Sequence, residues 1–242
     1  MKYIINVETL ENLPGTRPIV AMDNDGNLFV ESLKEPELYI DLELPSGTLW
    51  ANYNLGVDPA DLDTASKWYG GLYIWGDTND TANNGKTANK QNDPLYDSYT
   101  KKYKKYTLSD GLVTLQASND AATTILGNSY RMPTNIEFIE LFNNTTRIWV
   151  TNYQGIEGLN GYKFISNINS DKYLFFPAAG AKSNGDKSRR LSSEEGDYWS
   201  ASRGENENGA GHMSFREDFE LPEFYYSIRY CALSIRPVYN PS

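Results

Sequence analysis

The sequence predicts an α+β domain, and three observations carry that prediction. Two helix starts with their own capping residues lie near the middle of the chain. A series of short aromatic and β-branched runs follows them, many divided by Gly and Asn clusters, as antiparallel strands are. Ahead of both stands an isolated hairpin pattern, so a small β-rich N-terminal arm over 1–37 is expected to precede a main domain over 38–242.

In the arm, Ile19-Val-Ala-Met22 and Asn27-Leu-Phe-Val30 flank Asp23-Asn-Asp-Gly26, a turn sequence of the hairpin kind. The same residues echo the start of a calcium loop. They lack its later ligands, so they read as a turn. Glu35-Pro36 marks the boundary. Residues 77–107 are polar and rich in turn residues, which predicts a long surface loop. Within it Tyr96 to Tyr106 interleaves Lys with Tyr and reads as a solvated strand or loop. The first helix is expected over Ser118–Leu126, stopped by Gly127-Asn128. The second follows Pro133 as a capping box, Thr134-Asn-Ile-Glu137, and its apolar stripe of Ile136, Phe138, Ile139, Leu141 and Phe142 is expected to face the core. Strands are expected over 147–151, 161–165, 173–176, 197–201, 212–215, 225–228 and 232–236.

An ordered set of short motifs runs through 38–238. Asp41-Leu-Glu-Leu-Pro-Ser-Gly-Thr-Leu-Trp-Ala-Asn-Tyr-Asn-Leu-Gly56 opens it and Ser234-Ile-Arg-Pro-Val238 closes it. Between them come Leu72-Tyr-Ile-Trp-Gly-Asp77, Asp120-Ala-Ala-Thr123, Tyr130-Arg-Met-Pro-Thr134, Asn160-Gly-Tyr-Lys163, Phe176-Pro-Ala-Ala-Gly180 and Tyr198-Trp-Ser-Ala-Ser202. The set resembles the Fibrobacter succinogenes major paralogous domain, a branch of the C-type-lectin-like fold. The resemblance implies a non-enzymatic binding scaffold whose first and last strands pair, placing Asp41–Leu44 or Leu49–Ala51 beside Leu233–Val238. It implies structural roles for Trp199, Arg131 and Arg236. It also places ligand contacts in the loops and strands of the second half, here 183–230.

The chemistry an enzyme needs is scarce. Among 242 residues there is one cysteine, Cys231, and one histidine, His212. Intrachain disulfides, a His/Cys zinc site and the paired-cysteine chemistry of the sulfatase-activating branch of this fold are excluded. Glu194, Glu195, Glu217, Asp218, Glu220 and Glu223 give a late acidic cluster from which a glycosidase pair could be drawn, and a carbohydrate-active enzyme stays open on that ground. The lectin calcium motifs are missing. Asp77, Asn79 and Asp80 could offer oxygens to a cation but read as a turn, and no cofactor is expected. A net charge of −10 disfavours nucleic acid and anionic membranes as partners, and no apolar run is long enough for membrane insertion. The first residues do not form a secretory leader.

Surface recognition favours aromatic rings and amide groups in loops. Arg203, Asn206, Asn208, His212, Tyr225 and Tyr226 are therefore the expected ligand-binding residues. The expected setting is a phage virion surface, as head decoration, fibre or receptor-binding protein. Residues 1–37 would then meet other virion proteins, and a host-surface glycan or protein would be the ligand. A homo-oligomer is expected, with a trimer as one form. The alternative is a bacterial cell-surface or secreted glycan binder.

Overall fold

The computed structural model describes residues 16–22, 28–34, 38–81, 85–183, 185–218 and 221–239. The chain divides into two compact units, Met1–Glu37 and Leu38–Ser242. In the first, β1 (Thr16–Met22) and β2 (Leu28–Lys34) pair antiparallel from Thr16 opposite Lys34 to Met22 opposite Leu28. Both strands are longer than the sequence suggests, and the expected Asp23–Gly26 turn lies outside the described residues.

The second unit is α+β, built of small antiparallel sheets and short helices. Its first strands are β3 (Tyr39–Ile40) and β4 (Leu49–Ala51), followed by α1 (Ala65–Trp68) and β5 (Tyr73–Ile74). A small hairpin comes next, β6 (Tyr96–Asp97) and β7 (Lys102–Tyr103), and then α2 (Ala121–Leu126), β8 (Tyr130–Arg131) and α3 (Asn135–Asn143). The remaining strands are β9 (Thr145–Val150), β10 (Gly161–Ser166), β11 (Tyr173–Pro177), β12 (Glu195–Arg203), β13 (Gly209–Arg216), β14 (Glu223–Ile228), β15 (Ala232–Leu233) and β16 (Val238–Tyr239). The sheets run β3-β4-β16-β8, β11-β10-β9, β12-β13-β14, β5-β15 and β6-β7. Of the two candidate partners for the last strand, Leu49–Ala51 is the one used: Val238 faces Trp50 and Tyr239 faces Leu49. Tyr39 and Tyr239 stack there with ring centroids 4.8 Å apart.

Three expectations need correction. The described residues hold three α-helices rather than two. The third, α1, is a single turn, too short to leave a periodic apolar pattern in the sequence. Residues 77–107 are not a simple surface loop. Asp77, Thr81, Ala88, Asp93, Leu95, Tyr103 and Tyr106 are buried, and Tyr106 packs edge-on to Trp75 at 5.2 Å. A segment with almost no regular structure can still supply core side chains, because turns stitched by their own Asp and Asn side chains satisfy the backbone. Asp77 accepts from the Asn79 amide, Asp93 from Leu95 and Asp97 from Tyr99. On α3, finally, the stripe splits: Phe138 and Leu141 are fully buried, whereas Ile136 is 76% and Ile139 47% exposed. The capping box at Thr134 and Glu137 forms, and Arg131 locks Glu137 through two hydrogen bonds of 2.8 and 2.6 Å. Within the expected span Ser118–Leu126, α2 takes up the last six residues, Ala121–Leu126, capped by Asp120.

Successive side chains of β12 enter different cores. Tyr198 joins Trp50, Phe138, Phe164, Phe176 and Phe215, while Trp199 joins Tyr73, Trp75, Tyr106 and Ile235. Beside the first of these cores lies Arg236, 1% exposed, with its guanidinium 4.4 Å from the Phe176 ring. Its Nε donates to Asn54 Oδ1 at 3.0 Å, Nη1 to the carbonyls of Ala51 and Asn52 at 3.1 and 2.9 Å, and Nη2 to Phe175 O at 2.8 Å. Burial lowers its pKa to about 10, so it stays charged at neutral pH. Replacing it removes the donor from three buried acceptors, at Ala51, Asn54 and Phe175, each costing about 1–3 kcal/mol, and from the part-buried Asn52 carbonyl. Arg236→Met is expected to destabilise the protein by about 4 kcal/mol or more, read from the urea midpoint. A loss below about 1 kcal/mol would show that the four acceptors find other partners.

Candidate functional site

The expected binding residues fall on the sheet β12-β13-β14 and on the turn 204–208 that joins its first two strands. Alternation and register divide the side chains between two faces. Trp199 faces His212, which faces Tyr225; Asp197 faces Ser214, which faces Glu223; Glu195 faces Arg216. One face therefore carries an aromatic row and, beside it, a polar row. Exposure climbs along the aromatic row from 0% at Trp199 to 9% at His212 and 42% at Tyr225. His212 lies 6.0 Å, centroid to centroid, from each neighbouring ring. The opposite face carries Tyr198, Met213, Phe215, Phe224 and Tyr226 and packs on α3, with Phe138 and Phe224 ring centroids 6.2 Å apart.

The six residues therefore do not form one cluster. Asn206 and Asn208 are exposed at the turn, where Asn206 Oδ1 accepts from the Asn208 amide at 2.9 Å. The Asn208 and Glu207 carbonyls accept from the Arg229 backbone amide and from Arg229 Nη1, at 3.0 and 3.1 Å, and this fastens the turn to the buried Arg229. Arg203 ends β12 half-buried, and its Nε and Nη1 are buried with no hydrogen-bond partner among the described residues. Between the strands expected over 197–201 and 212–215 the chain makes a tight five-residue turn, 204–208, and both strands run longer than expected. Tyr225 lies on the same face as His212, with its hydroxyl on the Glu223 carboxylate. Tyr226 lies on the other face, 53% exposed. His212, expected at the binding surface, is instead buried beneath Tyr225. Its strand parity turns the ring toward Trp199, and Tyr225 covers it.

Two residues of this face were missed in the sequence. Asp197 and Ser214 are 7% and 6% exposed, and Asp197 Oδ1 lies 3.5 Å from His212 Nε2. That distance suits an ion pair, yet burial opposes both charges. It pushes the Asp197 carboxyl up to about 7, helped by the nearby charge of Glu195, and pulls His212 down to about 4. Desolvating two ions costs more than one contact at 3.5 Å returns, so the uncharged pair is the stable one. His212 Nδ1 is buried without a hydrogen-bond partner among the described residues. The signal for these residues was the polar alternation in Glu195-Gly-Asp197 and His212-Met-Ser214.

The late acidic residues separate in the same way. Glu194, Glu217 and Asp218 line a polar cavity of about 450 Å³ with Asn160, Ser193 and Arg216. Arg216 Nε holds Asp218 at 3.1 Å, and Glu220 lies outside the described residues. No group of three or more His, Cys, Asp or Glu among the described residues is placed to hold a metal ion, and none of the described helices is long and apolar enough to cross a membrane. No protein-family model matches the chain, and no curated protein or solved structure matches it either.

The buried pair makes a pH prediction. Folding lifts Asp197 from its ordinary 3.8 to about 7, so rising pH across that window removes stability. Folding lowers His212 from 6.5 to about 4, so rising pH across that window adds stability. In the parent the two slopes oppose each other. Relative to the parent, Asp197→Asn is expected to gain about 4 kcal/mol as the pH rises through its window, and His212→Asn to lose about 3 kcal/mol, both from urea unfolding at several pH values. Parallel stability curves for parent and variants would refute the assignment.

Proposed function

We propose that the chain is a non-enzymatic recognition module of the C-type-lectin-like kind, in the Fibrobacter succinogenes major paralogous group. It works on the surface of a phage particle and binds a host-surface glycan or protein. The pairing of β4, near the start of unit 38–242, with its last strand β16 supports the fold, and the burial of Tyr198 and Trp199 supports the motif reading. The observation that carries the function is the exposed end of the aromatic row: Tyr225 offers a ring and a hydroxyl on an edge strand, with the Asn206 and Asn208 amides near the end of the same sheet. A sugar is held by this combination, an aromatic face against C–H bonds and planar amides toward hydroxyls, and exposed Tyr is equally suited to a protein surface. Residues 1–37 serve to attach the module to the particle.

Fractionation with an antibody to this chain tests the setting. Signal in DNase-resistant particles is the expected result, whereas signal confined to envelope or medium would point to a bacterial cell-surface glycan binder. On a glycan array or on host cells, Tyr225→Ala is expected to weaken binding about tenfold or more. The paired change Asn206→Ala and Asn208→Ala should also weaken binding, with unfolding midpoints unchanged. Binding that is indifferent to all three would move the site elsewhere.

A further inference from the structure

The strand β14 ends its sheet and has no protein partner on its outer side among the described residues. The Arg229 amide donates to Asn208 O at 3.0 Å, just beyond the facing pair Gly209 and Ile228. That bond fixes the phase of the ladder. Ser227, Tyr225 and Glu223 turn their N–H and C=O groups inward to β13, and Phe224, Tyr226 and Ile228 turn theirs outward. Of the outward groups, only Ile228 O has a described backbone partner, the Cys231 amide at 2.9 Å. Natural edge strands are guarded by lysines, prolines, bulges or brevity. This one has none of these: it runs six residues, Glu-Phe-Tyr-Tyr-Ser-Ile, in unbroken register. Tyr226 is 53% and Ile228 44% exposed.

We propose that β14 pairs antiparallel with the β14 of a second copy about a two-fold axis at Tyr226, joining two three-stranded sheets into one of six strands. The outward groups select this occupant. A two-fold at Tyr226 sets Tyr226 against the partner's Tyr226 and Phe224 against the partner's Ile228, and these are the residues whose N–H groups point outward with no hydrogen-bond partner among the described residues. Charge agrees with the pairing. Each copy has a net charge of −10, but Glu223 is the only charged residue in the strand, and this register keeps it away from the partner's Glu223. Tyr226 meets its symmetry mate on the face that packs against α3, where the exposed Ile136 and Ile139 stand on the helix nearby. Such an isologous contact closes on itself and gives a dimer rather than a fibril. Tyr225 remains on the opposite face, so the dimer presents two aromatic rows side by side. The pairing does not depend on the ligand proposed above.

Sedimentation velocity on the full chain, combined with hydrogen exchange, tests the pairing. A dimer is expected. Tyr226→Lys with Ile228→Lys should abolish it, leaving near-ultraviolet circular dichroism and the unfolding midpoint close to the parent's. Should that variant fail to fold, the parent alone decides the question through the phase of protection. The Phe224, Tyr226 and Ile228 amides should exchange slowly in the dimer and speed up on dilution to monomer, while the inward Tyr225 amide stays protected in both. A monomeric parent, a three-fold assembly, or a dimer in which the Phe224, Tyr226 and Ile228 amides exchange freely would overturn the proposal.

Discussion

The Arg236 guanidinium is the interaction on which unit 38–242 depends. It is buried without a carboxylate, and oxygen acceptors at 51, 52, 54 and 175 compensate for its lost hydration. Those acceptors come from the end of β4, the segment after it and β11, and Arg236 itself lies just before the last strand. Asn54 extends the network by donating to Tyr69 O and to the Tyr198 hydroxyl, which in turn donates to Pro177 O. Five chain segments far apart in sequence are thus fixed against one cation. The strands nearest the cation are too short to hold their place alone, since β4 and β16 are three and two residues long. A fold of such short strands has few ladder bonds, and buried polar networks fully satisfied by geometry supply the specificity that ladders give elsewhere.

The sheet β12-β13-β14 follows from that anchoring. Because β12 is held with Tyr198 in one core and Trp199 in the other, both faces of the sheet are covered at its inner end and uncovered at its outer end. Burial therefore falls gradually across three strands, and polar groups at intermediate depth, Asp197 and His212, sit where water is too scarce to solvate charge. The resulting pair exchanges a proton on folding: near pH 5 the unfolded chain carries it on His212 and the folded chain on Asp197, with little net uptake.

Features set by local chemistry were legible in the sequence. The Thr134 capping box and the Gly127 helix stop are decided within a few residues, and the structure follows them. What depends on distant packing was not. Ile136 and Ile139 match the helical period as well as Phe138 and Leu141 do, but only the last two meet the sheet. The segment 77–107 looks solvated because Asp and Asn dominate it, whereas its turns deliver Leu95, Tyr103 and Tyr106 to the core. For the candidate site, the residues singled out in the sequence fall on or beside the sheet β12-β13-β14, and Tyr225 and Tyr226 are exposed rings as expected. The sequence did not show that neighbours in a strand point to opposite faces with different surroundings, nor that the single histidine would lie beneath one of those rings.

The stacked rings of Tyr39 and Tyr239 bring the first and last described strands of unit 38–242 together across β4, which lies between them in the sheet. A tension entering at Leu38 therefore finds its exit within a ring's width of its entry. The body of the unit lies outside the line of pull and is loaded as a pendant, not as a link in a chain. A pull between its two ends would swing such a unit before it stretched it. The load would fall on the contacts among β3, β4 and β16, away from the sheet β12-β13-β14.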